Sequence, residues 1–367
     1  MNKNYNELVA RLNARVNPNG IILNKSFSDE LGRIPQRGIF IYIKRAMQGV
    51  EPEYTQRSLE AGRKVKNKLE AELNNVSFEF QGSVMTNTHI KGYSDIDLLT
   101  ICEYFYNFDR SGINATLSNI QRVLHLDRIQ IGRLQRAVEG GGYTQGLSDL
   151  RNLRTDSEGI LSRHYSYVDE SKPKSIKVSL TNPKRDVDVV IANWFNDSNY
   201  YIKNEEKYRG VKIFVKGGIA SEDLVLKPDF PFLSISIINE MDSSVNGRLK
   251  KMIRFLKTLK SDSGYSESIK LTSFDFNAIC YDIDTSSYQY DTYLDLVLTV
   301  YNQLSRLESN ALHRNSLNSI VGDESIFKNE DGSENSEKVQ SLQTMMTEVG
   351  LVLKDITEEQ RNVKLAV

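Results

Sequence analysis

Apolar residues alternate with polar ones at Val76, Phe78 and Phe80, and an apolar run resumes at Ile96, Leu98, Leu99 and Ile101. This predicts two strands joined by a tight Gly82-Ser83 turn and a short helical segment. Ile176, Val178 and Leu180 alternate in the same way, Asn182-Pro183-Lys184 turns, and Arg185 to Ala192 returns, which reads as a hairpin. Val211 to Val215 is a further strand candidate, closed by Lys216-Gly217-Gly218. Helical spacing links Tyr5, Leu8, Val9, Leu12 and Val16, with a stop at Asn17-Pro18-Asn19-Gly20. Further helices are expected over Phe40–Val50, Glu53–Leu73 (stripe Leu59, Val65, Leu69, Leu73), Ile113–Val138 and Ser148–His164.

In the second half, Pro228-Asp229-Phe230-Pro231 cannot be helical throughout, because each proline restricts its neighbour. Asn246 to Lys260 reads as a helix with a buried stripe of Leu249, Met252, Ile253 and Leu256. Lys250, Arg254 and Lys257 share a different face. Two more helices, Tyr290–Leu307 and Ser336–Lys354, carry stripes that suit a core. Gly322–Glu337 reads as an exposed loop and Glu358–Val367 as a loose tail. No internal repeat or low-complexity tract is present.

Strand alternation puts Asp95 and Asp97 on one face, where two carboxylates repel each other unless cations sit between them. The same logic asks for a third carboxylate on a neighbouring strand, and Asp188 supplies it, with Asp186 on the same face as the reserve. Hard oxygen ligands point to Mg²⁺, two ions, with Mn²⁺ as the substitute. Gly82 and Ser83 can offer backbone N–H groups and a hydroxyl to phosphates. Lys250, Arg254 and Lys257 are candidates to clamp a triphosphate. Gly140-Gly141-Gly142 is followed by no Lys-Ser/Thr, so it reads as a flexible connection rather than a phosphate loop.

The chain has 367 residues, 39% of them hydrophobic, enough for two domains or one two-lobed unit; we set the boundary at 1–215 and 216–367. Its net charge of −1 lacks the basic footprint of a protein that lives on nucleic acid. Cys102 and Cys280 sit in apolar runs, which suits buried thiols in a reducing compartment. The four histidines lie far apart, giving no readable zinc site. With neither an apolar leader nor a membrane-length apolar run, a cytoplasmic location is expected.

Gly82-Ser83, then Asp95-Ile96-Asp97, then Val187-Asp188-Val189-Val190 resembles the signature of the polymerase β-like nucleotidyltransferases. The fuller wording, Gly-Ser-x-x-Thr-Asn-Thr-x-Ile and Ser-Asp-Ile-Asp-Leu-Leu, is similar to the bacterial cGAS/DncV-like nucleotidyltransferases, the CD-NTases. The resemblance implies an α+β fold: a mixed sheet flanked by helices, an N-terminal helical spine and a mainly helical C-terminal lobe. It implies Asp95, Asp97 and Asp188 as catalytic metal ligands. It also matches Lys257 and Ser273, the latter in a Ser-aromatic strand, to residues that hold the donor nucleotide. The implied reaction joins nucleoside triphosphates (ATP, GTP, or pyrimidine nucleotides) into a cyclic di- or trinucleotide. That product serves anti-phage defence of the CBASS type through a downstream sensing effector. The competing readings are a template-independent RNA- or tRNA-end nucleotidyltransferase and a toxin-type transferase. Neutral charge opposes the first, and chain length the second.

Overall fold

A computed structural model of the chain describes residues 3–16, 38–90, 96–217, 222–322 and 324–365. Asp95 and the Asn17–Gly20 stop lie outside them. Helices α1 (Tyr5–Val16), α2 (Gly38–Met47) and α3 (Pro52–Glu70) precede strands β1 (Val76–Gln81) and β2 (Ile96–Phe108). Then come α4 (Arg110–Ser118), α5 (Ile120–Val123), α6 (Arg128–Glu139) and α7 (Gly146–His164). Strands β3 (Val168–Asp169), β4 (Ile176–Thr181) and β5 (Lys184–Asn196) follow, and α8 (Ser198–Lys203) leads to β6 (Gly210–Val215) and β7 (Leu224–Val225). The rest is helical: α9 (Pro231–Ser244), α10 (Arg248–Asp262), α11 (Ser273–Tyr281), α12 (Tyr293–Ser309), α13 (Ala311–Ser316) and α14 (Ser336–Leu365). No helix among the described residues is long and apolar enough to cross a membrane.

The chain divides into two compact units, residues 51–85 with 95–236, and residues 1–50 with 86–94 and 237–367. Residues 216–236 stay with the sheet because β7 pairs with β6 and Val211 bridges Asp229. The first two helices join the C-terminal helices through a shared core that includes Phe40, Ile43, Leu256 and Leu342.

In the sheet unit the described strands run β1-β2-β5-β4-β3, with β6 and β7 continuing from β5. β5 is the axis. Its first half pairs antiparallel with β4, its second half antiparallel with β6, and its stretch from Val187 to Asn196 parallel with β2. Ile96, Leu98, Val187 and Val189 pack on Ala61, Val65 and Leu69 of α3, which accounts for the stripe on that helix. Leu99, Ile101, Val190, Ala192 and Trp194 form a separate apolar layer with Val211.

Residues 104–108 continue β2, re-paired with β5 after a shift between Cys102 and Tyr106. Four expectations are revised. The long helix over 113–138 is three short ones, because Asp109, Asn119 and Asp127 each cap a new N-terminus. The tail is helical to Leu365, since buried Val352 and Ile356 extend the apolar stripe past Lys354. The loop after Gly322 tucks Ile326 and Phe327 into the core and ties Glu334 to Arg314. Tyr290 is 79% exposed and precedes α12, which Thr292 and Asp295 open with a reciprocal cap.

Candidate active site

Asp97, the second residue of β2, stands directly beside Asp188 of β5 in the parallel register, and opposite Gln81 of β1. Alternation gives both carboxylates the same sheet face, as the two strands' patterns require. Gly82 follows with φ +83°, and a Cβ there would collide with Oδ2 of Asp97. Glycine is therefore needed twice, for the left-handed backbone and for the close approach of the carboxylate. Ser83 continues the turn, with Met85 N–H bonded to the Gly82 carbonyl at 3.2 Å.

Asp186 lies two residues back on the same face, but it is taken by Lys177 at 2.8 Å. Burial pushes its carboxyl up, yet the bonds from Lys177 and Ser179 outweigh that and hold it below the usual carboxylate range. The register thus brings Asp188, and not Asp186, beside Asp97. Lys172 approaches Asp188 at 3.5 Å. The stretch carrying Lys172 is fixed by Arg154, whose side chain is 1% exposed. Arg154 donates to the carbonyls of Lys172 (3.0 Å) and Ser175 (3.1 Å) and to Glu158 (2.7 Å), which also takes Lys216. Neither Lys172 nor Arg154 could be found from spacing: one sits in a polar loop, the other is a charged helical residue of the kind usually left in water.

Among the described residues no group of three or more acidic, His or Cys side chains is gathered as a metal site. The pair Asp97–Asp188 nevertheless suits a hard dication. Two carboxylates meet at neighbouring strand positions, and the missing Gly82 Cβ leaves space at Oδ2 of Asp97.

The helical unit carries the other candidates. Leu249, Met252, Ile253 and Leu256 are buried as the periodicity requires. Arg254 is also buried, donating Nε to the Met47 carbonyl (2.8 Å) and Nη1 to the Asn87 carbonyl (2.7 Å). Burial pulls its pKa down to about 10, opposed by Asp242 and Tyr293, so it stays charged at neutral pH. Lys257 is buried too, and burial, with Arg254 adding to it, lowers its pKa to about 8. Lys250 pairs with Asp242 at 3.6 Å. Lys250, Arg254 and Lys257 therefore do not form the open basic face that their spacing suggests. Ser273 is the exposed first residue of α11 rather than part of a strand, because Thr272 and Asp275 cap each other's backbone there.

Residues 236–350 match the cGAS/DncV-like nucleotidyltransferase C-terminal helical domain. A c-di-GMP synthase of Capnocytophaga granulosa is 44% identical over 357 residues, 96% of this chain and 98% of that protein. A second, from a Lachnospiraceae bacterium, is 40% identical over 96% of this chain and 98% of its own length. Among solved structures, a STING-associated CdnE c-di-GMP synthase from Flavobacteriaceae sp. superposes with a TM-score of 0.84 at 35% identity, covering 98% of this chain and all (100%) of that one. The fold is accordingly the α+β, polymerase β-like one with a mainly helical C-terminal lobe. With likeness of this order along nearly its whole length, the chain belongs to the cGAS/DncV-like nucleotidyltransferases, the CD-NTases, and is a cyclic-dinucleotide-forming enzyme of that family.

Proposed function

We propose that this enzyme joins two molecules of GTP into cyclic di-GMP, releasing two pyrophosphates. The observation that carries the choice of base is the near-full-length similarity to two c-di-GMP synthases. The pairing of Asp97 with Asp188 beside the Gly82 turn supports the chemistry. In the first step a ribose hydroxyl of one GTP attacks the α-phosphorus of the other, and pyrophosphate leaves. In the second, the free hydroxyl of the linear intermediate attacks its own remaining α-phosphorus, closing the ring.

Asp97 and Asp188, with Asp95, would hold two Mg²⁺ ions, whose chemistry there would be to acidify the attacking hydroxyl and to offset the charge of the leaving pyrophosphate. The Gly82-Ser83 turn offers backbone N–H groups and a hydroxyl to the β- and γ-phosphates. Lys257 and Ser273 are assigned to the donor triphosphate on the family pattern. Arg254 supports them by holding the carbonyls of Met47 and Asn87, and Lys250, paired with Asp242, has the weakest claim. Two solved relatives are STING-associated, so a cyclic-dinucleotide receptor of that kind is the proposed downstream partner, in CBASS-type defence in the cytoplasm.

The test is mass spectrometry of a phosphatase-treated reaction containing the purified protein, all four nucleoside triphosphates and Mg²⁺. Cyclic di-GMP is the expected species, resistant to phosphatase because ring closure leaves no terminal phosphate. A ladder of longer oligomers, or turnover only with added RNA, would favour the polymerase reading that the net charge of −1 opposes.

A further inference from the structure

A second cleft, of about 510 Å³, opens in the sheet unit where the end of β2, the Gly141-Gly142 segment and the start of α7 meet Asn193 of β5 and Lys212 of β6. Its size is that of a small-ligand site. It takes no part in the chemistry above, because the sheet itself separates it from the carboxylates. Asp188 and Asn193 are five residues apart on β5, hence on opposite faces and roughly 16 Å apart along the strand.

Asn193 is fully buried. Its Nδ2 donates to Asn107 Oδ1 (2.8 Å) and to the Trp194 carbonyl (2.9 Å), both acceptors, which fixes the orientation of the amide. Oδ1 has no hydrogen bond and is closed to solvent, so Asn193 belongs to the floor of the cleft rather than to the contacts of an occupant. Beside it Tyr143 stacks on Phe105, centroids 5.5 Å apart and planes at 17°. Phe105 is backed by Gly146, where a Cβ would come within 2.8 Å of the ring, while Tyr143 is 53% exposed. Gly142, at φ +99°, has no atom within 4 Å of where its Cβ would stand, so the wall is open there. Lys212 and Arg110 line the cleft, and no carboxylate does.

We propose that this cleft is a second binding site, for a nucleotide. The base lies on the exposed face of the Tyr143 ring, and the phosphate sits by Lys212 and by Arg110, whose guanidinium also holds the Val138 and Gly140 carbonyls. Aromatic stacking of this kind tolerates any base. The Gly140–Gly142 run, a mere connection by its wording, thereby becomes part of a ligand wall.

The test is equilibrium dialysis of the full-length protein in EDTA, with GMP and cyclic di-GMP as separate probes, so that metal-dependent binding is removed. One saturable site is expected. Tyr143→Ala and Lys212→Ala should each weaken it about tenfold, in line with the loss of one stacked base or one phosphate contact, and Asp97→Asn should leave it unchanged. The stronger of the two probes tells whether substrate-like mononucleotide or product is the occupant. Unchanged melting temperatures of the two cleft variants, whose side chains are not core residues, exclude unfolding as the cause. No saturable binding of either probe at millimolar concentration overturns the proposal, as does binding that Asp97→Asn abolishes or that both cleft variants keep. Product formation by the wild type is read separately, so failure here leaves the synthase reading standing.

Discussion

Lys257 follows Arg254 by three residues on α10, and the two cations are buried on one stretch of helix at 9% and 6% exposure. Arg254 has two carbonyl acceptors, whereas Lys257 has no carboxylate partner among the described residues. Burial and the adjacent guanidinium hold Lys257 at about 8 against an ordinary 10.5. Between those values the unfolded chain binds the proton more tightly, so stability rises with pH across that window. Below pH 8 the full cost is present, of order 3 kcal/mol. Lys257→Met should therefore raise the urea midpoint at pH 7, and its advantage should shrink as pH climbs towards 10.5. An advantage that does not change with pH would deny the ammonium its cost.

That cost has a functional counterpart. A triphosphate meeting Lys257 favours the charged form, so nucleotide binding at pH 8 to 9 should take up a proton. Calorimetry with GTP in two buffers of different ionisation enthalpy measures the uptake, which Lys257→Met should abolish while weakening affinity about 10²-fold.

The register separates Asp188 from Asp186. Asp188→Asn and Asp97→Ala should each lower product formation by 10²-fold or more at ordinary Mg²⁺, by the scale of lost electrostatic stabilisation. Asp186→Asn, which weakens the Lys177 pair and the Ser179 bond, should keep activity within about tenfold, since a partly exposed ion pair contributes little. In metal-free buffer Asp97→Ala should be no less stable than wild type, because a carboxylate beside Asp188 is removed. Equal loss in Asp186→Asn would shift the metal ligand to that residue.

Gly82→Ala tests the turn. The left-handed φ of +83° costs about 1–2 kcal/mol for a residue with a Cβ, and the collision with Asp97 adds to it. The expected result is a lowered melting temperature together with a turnover, per folded molecule, that falls as far as in Asp97→Ala.

Arg154→Met should cost about 3–5 kcal/mol, the scale for removing one member of a buried ion pair, and it also strips the carbonyls of Glu170, Lys172 and Ser175 of a donor. Activity should fall further than stability explains, because the stretch carrying Lys172 beside Asp188 loses its anchor. Chemical denaturation and a rate measured well below the transition would separate the two effects.

The strands were legible because β1 and β4 alternate cleanly, because β5 alternates as far as Val189, and because paired carboxylates on a strand are well suited to holding a cation. The α10 stripe was legible for the same reason of periodicity. Burial of the polar residues of α10 was not, since periodicity tells which apolar residues are inside and is silent on cations that find backbone carbonyls there, as Arg254 does. Ser273 misled because the short apolar flank Leu271–Phe274 fits strand and helix alike, and the Thr272–Asp275 cap decides it. Arg154 and Lys172 depend on contacts between stretches far apart in sequence, which no local pattern encodes.

The parallel contact between β2 and β5 also sets the order in which the enzyme comes into being. Asp97 and Asp188 are separated by about ninety residues, and parallel neighbours cannot be joined by a hairpin, so closing that long loop is the slow, non-local step. During synthesis β2 can pair with β1 at once, but its other edge must wait until β5 has left the ribosome. The nascent chain thus has no paired Asp97 and Asp188 before the middle of translation, and the waiting edge of β2 is open to mispairing until then.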